Sequence, residues 1–328
     1  MEQRRFSGKG HWYHETQSNH SQSDVLPLVP EAANVDDRFL LDLALPDAIA
    51  LAAQGWLAPA RALCHQLFPL DTPVNRLRTL SAYDRLSTAL TVAQACGVQR
   101  LCNHYAALLA PLPGPDSSRE SNRRLAQITQ YARQLASSPD VIDDKALLQL
   151  DEVGLTVHDI VLINQIIGFI GFQARTVAVF QAALGHPVRW LPGHHISPHT
   201  VPARIQVWAS LLPAVELRYA SPEQRRSLAR WQAETALGPL VPVLCHEPAL
   251  LDRLGDILIM LPDQAEPDFP ALTTAVALLN SSPDRFSAAH LTALGASGLP
   301  HSVTLNLLIR SAFYGWLDRL RIALGQEE

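Results

Sequence analysis

Three observations predict an all-α protein: a long internal repeat, apolar positions recurring at three- and four-residue steps, and no stretch of sustained alternation rich in β-branched residues. Residues 128–175 reappear without a gap as residues 272–319, an offset of 144. In that register Ser137-Ser138-Pro139-Asp140 lies on Ser281-Ser282-Pro283-Asp284, Gly154-Leu155 on Gly298-Leu299, Phe169 on Phe313, Gly171 on Gly315 and Arg175 on Arg319. Thr129, Leu135, Leu147 and Leu150 also meet their own kind at Thr273, Leu279, Leu291 and Leu294. A unit this long reads as a duplicated helical domain, since solenoid units run to about 20–50 residues. The expected division is a tail over residues 1–29, a first domain over 30–188, a crossover over 189–221 and a shortened second domain over 222–328.

Residues 1–29 carry His, Ser, Gln and Gly without periodicity, so no fold is expected of them. From Val35 the pattern turns helical, with Phe39, Leu40, Leu43 and Leu45, then residues 49–53 and 60–68, punctuated by Pro59 and Pro69. One helix is expected over residues 81–109, carried by Leu86, Leu90, Ala93, Gly97 and Leu101 and ended by the prolines of 111–115. Ser117, Ser118 and Glu120 predict the start of a helix through Leu135, with residues 137–140 as its exit turn. Residues 145–153 predict a short helix closed by Gly154. Thr156, with Asp159 three residues on, predicts the cap of a long helix running to about Leu184.

The chain has 328 residues and is 48% hydrophobic, enough to fill two ordinary cores. Charged residues are only 17% and the net charge is −5, which excludes the basic footprint of a nucleic-acid binder. Lys9 and Lys145 are the only lysines, so Schiff-base chemistry has few places to sit. Cys64, Cys96, Cys102 and Cys245 are too few and scattered for a secreted disulfide framework. No apolar segment of signal-peptide length precedes Asp24, and the longest apolar run, residues 160–172, is broken by Asn164 and Gln165 and too short for a bilayer. A soluble cytoplasmic protein with neither membrane nor nucleic-acid partners is expected. A Gly-rich phosphate loop and zinc-ligand spacing are both missing, so no cofactor or metal is expected.

Gly154-Leu155, Asp159-Ile160, Gly168-Phe169, Arg175 and Leu184-Gly185 resemble the closing helix of the carboxymuconolactone decarboxylase and alkylhydroperoxidase-D-like superfamily, particularly its tandem peroxidase-related members. The second copy is sharper in Gly298-Leu299, in Ala312-Phe313-Tyr314-Gly315-Trp316-Leu317-Asp318-Arg319-Leu320 and in Leu324-Gly325. Tyr83-Asp84-Arg85-Leu86 through Asn103-His104-Tyr105 is similar to the hairpin that holds the family's redox centre. The resemblance covers most of the chain. It implies an oxidoreductase acting on a small molecule and a homo-oligomer, most simply a symmetric dimer.

Peroxidase members resemble one another in an acid, then Cys-x-x-Cys, then a His three or four residues on. Two thiols one helical turn apart can close a disulfide, while the acid and imidazole relay the proton that makes a thiolate. Set on that pattern, His104 places the thiol positions at Gly97 and Arg100, and Tyr105 places them at Val98 and Leu101; neither register supplies sulfur. The resemblance therefore leaves His104 as the catalytic candidate, with Asp84, Cys96 and Cys102 as its remaining helpers, and thiol peroxidase activity of the usual type is not expected. On one continuous helix Cys96 and Cys102 would lie about 120° apart and about 9 Å along the axis, too far to bridge. A break at Gly97 is the one device that brings them together. The alternative is an inactive descendant that binds a metabolite or a protein partner.

The second copy lacks the hairpin, because only a short acidic, proline-containing stretch separates Leu261 from Pro270. If Cys64-His65 and Cys245-His246 are equivalent, that copy is 37 residues shorter, about one helical hairpin. Adjacent helical residues point about 100° apart, so these dipeptides read as core cysteines beside part-exposed histidines. His194, His195 and His199 read as a solvated loop, having no fourth ligand for a metal. Arg175 and Arg319 read as helix-bridging residues in both copies, and Gly168, Gly171, Ala312 and Gly315 as points of close helix approach.

Overall fold

The computed structural model describes residues 34–188, 196–197, 208–262, 269–296 and 298–327, with backbone alone at 326 and 327. The expected tail, most of the crossover, and His194, His195 and His199 lie outside these residues. Among the described residues the protein is all-α, with twelve α-helices and one two-stranded ladder.

Helix α1 (Asp47–Leu67) continues past Pro59, which the sequence marks as a break. A proline inside a helix costs about 3 kcal/mol through its missing N–H. Here Trp56, Leu57, Ala60, Leu63 and Leu67 are all buried on either side of it, and at about 1.5–3 kcal/mol for each large side chain that burial outweighs the break. The expected single helix over 81–109 is instead two, α2 (Ala82–Cys96) and α3 (Gln99–Leu109). Gly97 adopts φ +71° and ends α2, its N–H bonding the carbonyls of Ala93 and Gln94. A left-handed glycine is the common way for a helix to stop, and the 3.6-residue pattern passed over it because both halves bury apolar residues.

Then follow α4 (Arg119–Ser137), α5 (Asp144–Glu152) and α6 (Val157–Ala183). Thr156 and Asp159 form a capping box at the start of α6, and Ser118 caps α4. Strand β1 (Trp208–Ser210), α7 (Pro222–Trp231), α8 (Val241–Leu244) and α9 (Pro248–Met260) lead to α10 (Pro270–Ser281), α11 (Ala288–Ala296), α12 (His301–Leu324) and β2 (Gly325–Glu327). The ladder leaves no mark in the sequence, since three residues are too few to show alternation. β1 pairs antiparallel with β2, and Trp208 lies over Gly325, where any Cβ would come within 2.0 Å of the indole.

The offset of the repeat reappears in the backbone. Asp144–Glu152 and Ala288–Ala296 correspond residue for residue, as do the starts of α6 and α12 at 157 and 301. Ser138 and Ser282 share φ/ψ near −151°/65°, and Gly154 and Gly298 sit at φ +82° and +86°. Between α1 and α4 stands the α2–α3 pair, whereas between α9 and α10 the described residues contain no helix.

The two copies exchange equivalent contacts. Arg175 donates to the Gly171 carbonyl on its own helix and to Asn280 O across the copies, while Arg319 donates to Gly315 O and to Ala136 O. Each acceptor of one arginine is the 144-residue counterpart of the other's, so the bonds are related by a pseudo-twofold axis. Phe172 stacks on Trp316, its own counterpart, at 6.1 Å; Phe169–Trp316 and Phe172–Phe313 repeat one T-shaped geometry at 5.8 Å and 78°. Gly168 makes the approach of the α6–α12 pair feasible, since a Cβ there would fall 1.8 Å from Trp316 Cδ1. Ile196 and Ser197 reach equivalent points of both copies, for the Ile196 N–H bonds Ser281 O and the Ser197 N–H bonds Ser137 O.

The buried side chains form one continuous cluster through both copies, in place of the two cores expected. At its centre α6 is buried nearly end to end. It is the one helix among the described residues long and apolar enough to cross a membrane, and its whole apolar window lies inside the protein.

Candidate functional site

The α2–α3 elbow is built from a cap, a break and a partner copy. Ser81 and Asp84 close a capping box that starts α2, and Asp84 also lies 3.8 Å from Arg124. Fifteen residues later α2 ends on Cys96, Gly97 turns the chain, and α3 begins. Gly97 lies so close to the second copy that a Cβ would meet the Asp284 side chain at 3.1 Å. The elbow is therefore where the first copy's hairpin touches the second copy's turn.

Cys96 is buried, and Arg175, Arg319 and Asp284 act on it electrostatically, Arg175 most strongly. Burial raises its thiol above the usual range, and the two arginines oppose that shift without reversing it. Burial, with Arg175 second, pulls the Arg319 guanidinium down to about 9, still protonated at neutral pH. Cys102, on α3, is pushed up to about 12 by burial and by Cys96 across the elbow. All four cysteines are free. The break at Gly97 thus places Cys96 and Cys102 on separate helices, where charge on one raises the other, and burial keeps both as neutral thiols.

The other two candidates fall elsewhere. Asp84 stands twelve residues before Cys96 on the same helix, about 18 Å along its axis, and serves as a cap. His104 is 1% exposed, its ring 5.1 Å from that of Tyr105. It lies two residues past Cys102, so the two side chains point about 160° apart on α3. Tyr105 carries the neighbouring polar network: its hydroxyl donates to Gln173 Oε1 at 2.7 Å, and Gln173 Nε2 donates to the carbonyls of Arg38 and Phe39.

A cavity of about 270 Å³ opens beside the elbow. Gln99 and Arg100 from the first turn of α3, Gln181 from α6, His186, and Asp284 from the second copy supply its polar lining. Arg100 is held there by two bonds from its guanidinium to Leu41 O. None of His104, Cys96, Cys102 and Asp84 lines this cavity. Sequence reasoning missed Gln181 and Asp284 because they reach the elbow from 80 and more residues away. The repeat offered one hint, since Asp284 belongs to the doubled Ser-Ser-Pro-Asp turn.

A second cluster was also missed. Glu247 accepts from Arg78 at 2.9 Å and lies 3.3 Å from His158 Nδ1, whose ring stands 5.1 Å from that of His246. It joins the start of α6 to the turn before α9, a pairing with no local sequence signal. The Cys-His dipeptides sit in unlike settings, Cys64 in the last turn of α1 and Cys245 at the end of the four-residue α8.

This cluster has a pH consequence. Burial pulls His246 below its ordinary 6.5, with His158 adding to the effect. Glu247 is held below its usual 4.5 because hydrogen bonds and charge from His158 and Arg78 together outweigh its burial. In both cases the unfolded chain binds more protons, so their stabilisation is present above the unfolded values and lost as pH falls. We expect the urea midpoint to drop from pH 7.5 to 6, and again below pH 4.5. Glu247→Gln should remove the lower of the two steps; an unchanged lower step would assign it to other carboxylates.

Compared with protein-family models and with curated proteins, the chain matches none.

Proposed function

We propose that the chain is a two-copy member of the alkylhydroperoxidase-D-like oxidoreductases, its second copy without the hairpin, that binds a small molecule in the elbow cavity and has given up thiol peroxidase chemistry. One observation carries this reading: the cavity is lined by polar side chains of both copies, while neither hairpin thiol lines it and burial raises both. A thiolate, not a thiol, attacks peroxide, so a pair pushed upward is poorly suited to that reaction. Arg100, fixed by the Leu41 carbonyl, and Gln99 and Gln181 are suited to a small polar molecule with acceptor oxygens. The few, scattered cysteines lead us to place the protein in the cytoplasm, and the resemblance implies a homo-oligomer, most simply a dimer.

The test begins with native mass spectrometry of the protein as purified, to find a carried molecule. Gln181→Leu, which alters the cavity wall, should lower its occupancy at least tenfold without unfolding the protein; unchanged occupancy would remove the cavity from the reading. Ellman's reagent should label Cys96 and Cys102 in the native protein at least 100-fold more slowly than in urea, and fast native labelling would show reactive thiols instead.

A second reading, an oxidoreductase acting on an unassigned substrate through these residues, is favoured by the Arg175 and Arg319 guanidiniums gathered about Cys96. It expects peroxide turnover with a dithiol reductant, abolished by Cys96→Ser or Cys102→Ser. Turnover that survives both substitutions but falls with His104→Ala would move the chemistry to the imidazole.

A further inference from the structure

Just ahead of α1, two neighbouring residues stand in a backbone conformation that side chains disfavour. Leu41 and Asp42 both adopt φ +55°, and among the described residues they are the only non-glycine positions with positive φ. An aspartate tolerates the left-handed region because its short polar side chain can bond locally, whereas a leucine has no such bond and must be held there by its surroundings.

Those surroundings are visible. The Asp42 carboxylate accepts the N–H groups of Asp36 and Asp37 at 3.2 and 2.8 Å, which ties the ends of the 36–42 segment together. Asp37 in turn accepts from the N–H groups of Phe39 and Leu40 and from Arg61. The Leu41 side chain is fully buried and anchors the segment from within.

The strained turn aims one group. The Leu41 carbonyl belongs to the planar peptide unit that joins the two left-handed residues, so its direction follows from their two conformations. It accepts Arg100 Nε at 3.1 Å and Arg100 Nη2 at 3.0 Å. A return of either residue to the right-handed region would swing that carbonyl away from the guanidinium. Arg100 is 7% exposed and lines the elbow cavity together with Gln99, Gln181 and Asp284. Its charge is permanent and its planar fork matches a carboxylate. Asp284 in the same lining disfavours an anion of double charge.

We infer that Asp42, which does not itself line the cavity, is a positioning residue for it: by holding the left-handed turn it aims the Leu41 carbonyl at Arg100 and so fixes the guanidinium for a small monocarboxylate. This role rests on the elbow reading and narrows its ligand to a chemical class.

NMR titration of the full chain with L-lactate is the test. The parent should bind lactate with a Kd below about 20 mM, and Gln181→Leu should weaken that binding at least about fivefold, the size of one net hydrogen bond. Asp42→Val removes the acceptor and resists positive φ. Lactate should then bind at least about tenfold more weakly, and the Arg100 Nε–H should exchange with solvent at least about tenfold faster, as expected for a freed charged donor. Both are read where urea melts show the variant folded. Asp42→Asn keeps an acceptor and tolerates the turn, and should bring both readings back to within about threefold of the parent. Should Asp42→Val not fold, Asp42→Ala takes its place, with a loss of about threefold expected. Lactate binding that is unchanged in the folded Asp42→Val or Asp42→Ala protein, yet lost in Gln181→Leu, would overturn the role of Asp42 and leave the elbow reading standing. Asp42→Asn behaving no better than Asp42→Val would overturn it equally. Binding indifferent to Gln181→Leu would remove the cavity from both readings. A parent that binds no lactate overturns the carboxylate assignment, and native mass spectrometry then decides the elbow reading by itself.

Discussion

Replacing Trp316 with alanine is expected to destabilise the protein by about 3–5 kcal/mol, the range for deleting a large buried aromatic. Trp316 is 1% exposed, stacks on Phe172 and meets Phe169 and Phe313 edge-on, all on the seam where α6 crosses α12. Neighbouring rings cannot collapse into the space, because they are pinned by the same pseudo-twofold packing. Gly168→Leu should be damaging for the opposite reason, since its first side-chain atom would overlap the indole at 1.8 Å. Combined, the two changes exchange one large side chain for another, and the double variant should be more stable than the sum of the singles predicts by at least about 1 kcal/mol. Urea melts of the four proteins measure this. Strict additivity would show that the two residues do not share one space.

The next largest effect is expected at the paired arginines. Arg319→Met should cost about 2–4 kcal/mol, because it strips a charged donor from the Gly315 and Ala136 carbonyls, each such bond being worth about 1.5–3 kcal/mol. Removing a buried cation returns part of that, since burial penalises the charge. Arg175→Met breaks the equivalent pair of bonds, to Gly171 and Asn280, and takes away the guanidinium that acts most strongly on Cys96 as well. The two variants should lose similar stability, yet only Arg175→Met should speed the labelling of Cys96 by a thiol reagent in the native state. Equal labelling in both would mean that Arg175 does not shield that sulfur.

Much of the fold was legible because it depends on local chemistry that occurs twice. Thr156 with Asp159, Ser118, and the glycines at 154 and 298 announce helix ends through their own side chains or their own lack of one. The failures share a different cause. Pro59 reads as a stop, but α1 continues because the residues on both sides of it bury the same face. Gly97 reads as one more small residue on a helix stripe, but its neighbour Asp284 arrives from the other copy and the chain turns there.

The candidate site divides along the same line. His104, Cys96, Cys102 and Asp84 were named from one stretch of sequence, but His104 points away from Cys102 on α3, and only Cys96 and Cys102 flank the elbow. Asp84 does not, since a capping box holds it at the far end of α2. Gln181 and the Glu247 cluster had no signal in the sequence, and Asp284 only its place in the doubled turn, because each depends on residues brought from 80 or more positions away. By itself the sequence determined the helical class, the 144-residue repeat and most helix ends, all consequences of contacts within about four residues or of the chain's likeness to itself. Only the tertiary structure decided that the copies share one core about a pseudo-twofold axis, and that burial keeps the thiols on either side of the bend neutral. Burial and charge at those sulfurs are set by side chains the two copies present to each other, and no local pattern records that arrangement.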